Sequence, residues 1–205
     1  MHLKIRPECE NDYMEVENLV RNAFWNVYRP GAYEHYILHH LRDDESFIKK
    51  LAYVIECNGK IVGNINYSMG LIEYDDGKID AAVLGPIAVH EDCQDRGLGS
   101  RLIRYTLDLA RQEQIPFVFV IGDENYYHRF GFESASNYSM FLEGTDTPEE
   151  CPFFMIRVFD ESKLKNNGIF HNPEVFNVTQ EDVDEFDKDF EHKEKLILDS
   201  QLKEL

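Results

Sequence analysis

Gln94-Asp95-Arg96-Gly97-Leu98-Gly99-Ser100 is the stretch that decides how this chain is read. It follows the apolar run Leu84-Gly85-Pro86-Ile87-Ala88-Val89 and opens a helix predicted to reach about Gln114, where Leu98, Leu102, Tyr105 and Leu109 recur at steps of four, three and four. Pro116 ends that helix, and Phe117 to Ile121 is a continuous apolar run suited to a buried strand. Strand, glycine-rich loop, helix and strand form a β-α-β unit, which sets the loop at a helix N-terminus. Glycines let the backbone turn tightly and approach a ligand without Cβ interference. The first N–H groups of a helix are unpaired and its dipole favours an anion, so a phosphate or pyrophosphate is the natural guest. A Walker loop is excluded, because Gly99-Ser100-Arg101 lacks the required lysine. The dinucleotide pattern G-x-G-x-x-G fails at Leu102.

Working outward, Leu3 to Arg6 reads as a short strand and Asp12 to Trp25 as a helix, with Met14, Leu19, Val20 and Phe24 at helical intervals. Pro30-Gly31 breaks the chain before a second short helix over Tyr33 to Arg42. Leu51 to Cys57 and Ile61 to Ile72 are predicted strands joined at Asn58-Gly59, a dipeptide favoured in two-residue hairpins. Asp75-Asp76-Gly77 turns into a third antiparallel strand, about Ile79 to Val89. Further strands are expected near Tyr138 to Leu142 and Phe153 to Phe159. Thr179-Gln180-Glu181-Asp182 resembles a helix start, and Val183, Phe186, Phe190 and Ile197 fall on one stripe. The expectation is a C-terminal amphipathic helix docked on the domain or on another copy.

The 205 residues carry 43% hydrophobic and 13% aromatic side chains, enough for a packed core. Twenty-one Lys and Arg against 39 Asp and Glu leave a net charge of −18. Such a chain is not expected to bind nucleic acid, whose phosphate backbone rewards a basic face. No apolar run approaches the roughly 18 residues of a membrane span, and Met1 to Arg6 does not read as a secretory signal. A cytoplasmic protein with no membrane association is expected. Cys9, Cys57, Cys93 and Cys151 form no C-x-x-C pair and read as reduced thiols. No metal is expected; His35 and His39, four apart on a helix, read as surface residues. Acidic residues dominate both 1–159 and 160–205, so no charge boundary divides the chain.

Three motifs in order resemble the GNAT superfamily of N-acetyltransferases. Gln94-Asp95-Arg96-Gly97-Leu98-Gly99 matches its Q/R-x-x-G-x-G/A acetyl-CoA loop, Gly85-Pro86-Ile87-Ala88-Val89 its splayed strand, and Tyr126-Tyr127-His128-Arg129-Phe130-Gly131-Phe132 its Y-x-x-x-G-F element. Gly122-Asp123-Glu124-Asn125-Tyr126-Tyr127, Pro152-Phe153-Phe154-Met155 and Gly168-Ile169-Phe170 with Pro173 and Phe176 are similar to one subgroup of predicted acetyltransferases. The resemblance implies an α+β fold, with a mixed, mostly antiparallel sheet flanked by helices and splayed at the CoA site. It implies a GNAT domain over 1–176, followed by an acidic helical extension over 177–205.

The same resemblance implies a role for each site residue. Acetyl-CoA, the co-substrate, would be bound by Ile87, Ala88, Val89, Gln94, Asp95, Arg96, Gly97, Leu98, Gly99, Ser100 and Tyr127. The implied reaction moves the acetyl group to a primary amine by direct attack. The Ile87 N–H would polarise the thioester carbonyl, and Tyr127 would protonate the departing thiolate. Glu73, His90 and Asp123 are candidates for deprotonating the amine. Tyr28, Tyr33 and Tyr36 either line an acceptor pocket or pack in the core. Many family members carry an asparagine where Val120 stands, contacting pantetheine; Asp123 or Asn125 would serve here instead. The acidity suits a cationic acceptor such as a polyamine, aminoglycoside or lysine-rich peptide. A monomer or homodimer is expected. A non-catalytic acyl-CoA-binding or regulatory module of the same fold is the alternative, and retention of the loop together with Tyr127 favours the enzyme.

Overall fold

A computed structural model describes residues 3–145 and 153–201 of the chain. Cys151 and Pro152 lie outside the described residues. The elements in chain order are β1 (Leu3–Pro7), α1 (Tyr13–Phe24), α2 (Glu34–Leu41), β2 (Tyr53–Cys57), β3 (Lys60–Tyr74), β4 (Gly77–Val89), α3 (Leu98–Gln112) and β5 (Phe117–Ile121). They continue with α4 (Glu124–Tyr127), β6 (Glu133–Ser134), β7 (Met140–Leu142), β8 (Phe154–Val158), β9 (Gly168–His171) and α5 (Gln180–Phe186). The described strands form one mixed sheet in the order β1-β2-β3-β4-β5-β8-β6, with β9 paired to both β3 and β7. Only β4 with β5 and β7 with β9 run parallel. This is the α+β architecture that the motifs imply.

Alternation along the strands sorts the core onto two faces. Ile55, Ile65 and Tyr67 pack with Leu98, Leu102, Ile103 and Leu107 of α3. Val54, Ile61 and Ala88 face the other way, against Val16, Leu19 and Val20 of α1 and Leu38 of α2. Tyr67 is fully buried yet satisfied, because its hydroxyl meets Thr106 Oγ1 at 2.8 Å. The α1–α2 pair is fixed by charge as well as packing. Arg42, just past α2, reaches Glu8 at 2.8 Å and Glu17 of α1 at 2.6 Å, and its guanidinium lies 3.9 Å from the Tyr13 ring centre.

The C-terminal segment departs from expectation. The helix stops at Phe186, a 3-10 turn covers Asp187–Asp189, and the chain then runs without regular structure to 198. Ile197, expected on the buried stripe, is 90% exposed. Two causes are visible. Asp184, Glu185, Asp187 and Asp189 crowd the C-terminal end of the helix, where the dipole disfavours negative charge. Tertiary partners also claim the backbone: the Glu194 carbonyl accepts from Trp25 Nε1 and Asn26 Nδ2, both at 3.0 Å. Docking on the domain itself is nevertheless what the structure shows, with the segment strapped over α1 and α2. The strand at Gly168–His171, carried on the Gly168-Ile169-Phe170 motif, was not anticipated, nor were α4 and β6.

His35 is fully buried rather than on the surface, and it anchors this strap. Asp187 Oδ1 lies 2.7 Å from Arg21 Nε and 3.0 Å from His35 Nε2, while Phe186 and Phe190 pack on the imidazole. Burial pushes the His35 pKa down to about 4, outweighing the Asp187 charge. The neutral ring donates from Nε2, and the buried Nδ1 has no hydrogen-bond partner, so a proton there would be an unmatched donor. The unfolded chain takes up this proton below its ordinary 6.5, but the folded protein does not until about 4. Stability is therefore present above pH 6.5 and is lost as pH falls across that window. Urea unfolding at pH 7 and pH 4.5 should show the midpoint falling, and His35→Gln should make that fall shallower.

Candidate active site

Strand β4 pairs with β3 along nearly its whole length, but with β5 only at Ala82↔Val118 and Val83↔Phe119. Beyond Val83 the parallel partners separate. The β3 register also slips between Ile65↔Ile87 and Tyr67↔Leu84, so Gly85 and Pro86 fall outside the ladder. Proline has no N–H to contribute, and Gly85 has φ +151°. Backbone direction alternates along an antiparallel strand. The His90 N–H donates to Val62 O at 3.0 Å, so the polar backbone groups of His90 and Ala88 face β3. Those of Ile87 and Val89 therefore face the gap left by β5. Gln94 Nε2 donates to Val89 O at 3.1 Å from that open side. The Ala88 side chain is buried under α1 and α2.

The glycine-rich loop closes one end of the gap. A 3-10 turn over Glu91–Cys93 leads into Asp95 and Gly97, both left-handed with φ 58° and 75°. Gly97 caps α3 with no side-chain hydrogen bond, so the first-turn N–H groups at Leu98, Gly99 and Ser100 open outward. Leu98 is buried and pins the helix start, while Asp95 and Arg96 are exposed. A Cβ on Gly99 would stand 3.0 Å from the Tyr126 hydroxyl and 3.6 Å from Val89. Loop, open strand and Tyr126 thus converge.

Tyr127 is placed by the short helix α4, which Asp123 caps by accepting from Asn125 N at 2.9 Å. Its ring meets Tyr126 edge-on at 5.1 Å and Phe132 at 5.7 Å. Gly122 permits this position, because a Cβ there would lie 2.5 Å from Tyr127 Cε2. Burial, helped by the Tyr126 and Tyr28 phenols, pushes the Tyr127 pKa well above the usual tyrosine range. The hydroxyl is therefore protonated at neutral pH.

A cleft of about 880 Å³ opens beside the parted strand and Tyr127. Gly85, Pro86, Ile87, Gly122 and Tyr127 line one side; Phe24, Tyr28, Tyr33, Glu34 and Ile37 come from α1, α2 and their connection. Of the candidate bases, Asp123 lines the cleft. Glu73 pairs with Lys78 at 3.0 Å and His90 caps the loop turn, and neither lines it. Tyr36 packs instead on His40 and Phe186. Val120 is buried in the core on the α3 face, so it is no polar contact. Glu34 and Asn172 line the cleft without any signal in local spacing, because tertiary packing alone brings them there. Among the described residues no His, Cys, Asp and Glu grouping could hold a metal ion, and no helix is long and apolar enough to cross a membrane.

Comparison with known proteins matches this arrangement. The sequence profile described as the acetyltransferase (GNAT) domain fits residues 4–135. The uncharacterized N-acetyltransferase YhbS of Escherichia coli K12 is 26% identical over 173 residues, covering 84% of this chain and 98% of YhbS. The uncharacterized N-acetyltransferase YjhQ of the same strain is 33% identical over 113 residues, covering 54% of this chain and 61% of YjhQ. A GNAT family acetyltransferase from Brucella melitensis, solved in complex with acetyl-CoA, superposes with a TM-score of 0.66 at 25% identity, over 85% of this chain and 98% of that one. The crystal structure of Escherichia coli YhbS in complex with CoA gives 0.74 at 24% identity, over 87% and 93%, and shares the fold. With the profile spanning the strands, the loop and Tyr127, the chain belongs to the GNAT acetyltransferase family.

Proposed function

We propose that the protein transfers an acetyl group from acetyl-CoA to a primary amine by direct attack. The observation that carries this reading is the parting of β4 from β5 beside an uncapped α3 N-terminus. These residues fit the co-substrate chemically. The α3 N–H groups suit a pyrophosphate, and the unpaired strand edge at Ile87 and Val89 suits the amide-bearing pantetheine arm. YhbS and the Brucella protein, solved with CoA and acetyl-CoA, support the same assignment. Bound acetyl-CoA supplies an activated thioester, and the chain's own groups do the rest.

Ile87 N–H stabilises the negative charge that develops on the carbonyl oxygen as the amine attacks. When the carbon–sulfur bond breaks, Tyr127 O–H gives its proton to the thiolate, and the phenolate is restored by the proton that the attacking nitrogen loses as it becomes the amide. A phenol held protonated by burial is suited to donate. The amine arrives as an ammonium and must lose one proton first, and Asp123 on the cleft wall is one group within the site able to receive it. The free thiols of Cys9, Cys57 and Cys93 agree with a cytoplasmic setting.

Two measurements test this reading. A Cβ on Gly97 would meet nothing within 4 Å, but its φ of +75° is costly for other residues. Gly97→Glu should therefore leave packing intact while straining the loop and setting a carboxylate at the anion site. Calorimetric titration should show acetyl-CoA binding weakened by about tenfold or more; no binding to the parent protein would overturn the proposal. In a free-thiol release assay with an amine panel, Tyr127→Phe should lower kcat by about a hundredfold. Gly122→Ala should do likewise by displacing the Tyr127 ring.

A further inference from the structure

The cleft holds more charge than acetyl transfer itself uses. Glu34, Asp123 and Glu124 line the cleft against a single cation, Arg29. Glu124 Oε1 pairs with His128 Nε2 at 2.9 Å, Asp123 accepts from the N–H and side-chain amide of Asn125, and Arg29 lies over the Tyr33 ring at 4.0 Å. Asp123 and Glu124 are exposed, whereas Glu34 is half-buried. Its Oε2 accepts from the Tyr33 N–H at 2.9 Å, and among the described residues it forms no ion pair. Burial raises its pKa above the ordinary carboxylate value, with Arg29 opposing from a distance. A carboxylate with little water around it gains more from an arriving cation than a surface one does.

A second, independent feature lies on the same wall. Asn172 lines the cleft, and its Oδ1 is buried with no hydrogen-bond partner. Asn172 leads into a 3-10 turn over Glu174–Phe176, which packs against α2, the helix that Glu34 begins. Both groups are hydrogen-bond acceptors. An ammonium offers three donors and no acceptor, so it matches this wall, whereas a carboxylate or phosphate does not. Phe24, Ile37, Phe153, Phe176 and Val178 supply apolar surface suited to methylene groups. Tyr28 lines the same cleft as Glu34 and Tyr127.

We propose that Glu34 and Asn172 anchor an ammonium of the acceptor, so that the acceptor is an amine with a second positive centre on a methylene spacer. One nitrogen rests at Glu34 and the Asn172 amide oxygen while the other reaches Ile87 and Tyr127. This assignment rests on the cleft being the acceptor site of an acetyltransferase. Glu34 thereby determines specificity, and acetyl-CoA binding at the distant loop is independent of it.

The test is calorimetry on the full chain saturated with CoA, which cannot be turned over, using 1,5-diaminopentane and 1-aminopentane as probes. The diamine should bind the parent protein at least about tenfold tighter than the monoamine. Glu34→Gln should erase that difference and leave CoA affinity unchanged. Equal binding of the two probes by the parent protein, or undiminished diamine preference in folded Glu34→Gln, would overturn the inference. If Glu34→Gln does not fold, Asn172→Leu decides in its place: it should reduce the preference, and an unaltered preference counts against the inference. CoA binding without diamine preference sinks this assignment alone, whereas absence of CoA binding sinks the acetyltransferase reading itself.

Discussion

The structure turns on a short parallel contact. Strands β4 and β5 share two residue pairs, Ala82↔Val118 and Val83↔Phe119, and then diverge. A longer ladder would consume the backbone groups of Ile87 and Val89 and close the sheet. The break has a local cause in Gly85-Pro86, where one residue has φ +151° and the next has no N–H. It also has a global one. Helix α3 follows β4 and packs on one face of the sheet, so its N-terminus must rise at the end of β4, beside the opening. Unpaired strand groups and unpaired helix N–H groups are thereby set side by side. Each would be a defect if buried, and together they make a binding surface.

The rest of the fold supplies walls around that opening. Helices α1 and α2 lie on the face opposite α3 and contribute Phe24, Tyr28, Glu34 and Ile37 to the cleft. Arg42 ties α2 to α1 through Glu17 and to the end of β1 through Glu8. The C-terminal strap adds a second tie, because Asp187 joins Arg21 of α1 to His35 of α2. His35 and Glu34 are consecutive residues facing different surroundings, one under the strap and one in the cleft. The strap therefore braces the helix that carries Glu34 into the cleft.

Electrostatics follows the same division. A chain of net charge −18 repels a polyanion at long range, so any attraction at the α3 N-terminus comes from short-range N–H groups. In the cleft the same acidity recurs, with Glu34 lacking an ion-pair partner among the described residues. Tyr127 lines that cleft uncharged, its proton retained by burial.

Much of this was legible before any coordinates. Periodicity located α1, α2, α3 and the hairpin strands, because a 3.6-residue stripe and a two-residue alternation leave distinct patterns. The order of strand, Gly97-x-Gly99 loop and helix sets that loop at the start of α3, since hydrogen-bond geometry at a helix start is local. Tyr127 is marked by its motif, and the structure packs its ring against Tyr126 and Phe132. The C-terminal helix was misjudged past Phe186 because Asp187 and the Glu194 carbonyl are drawn to Arg21, His35, Trp25 and Asn26, residues distant in the chain. His35 looked like a surface residue for the same reason. Glu34 and Asn172, 138 positions apart, could not be related by spacing. The family and the main strands and helices through β5 are written in local sequence, because they depend on near neighbours. Only tertiary structure decided which carboxylate faces the cleft and what covers α1 and α2, because burial and long-range pairing exist only once the sheet has brought its faces together.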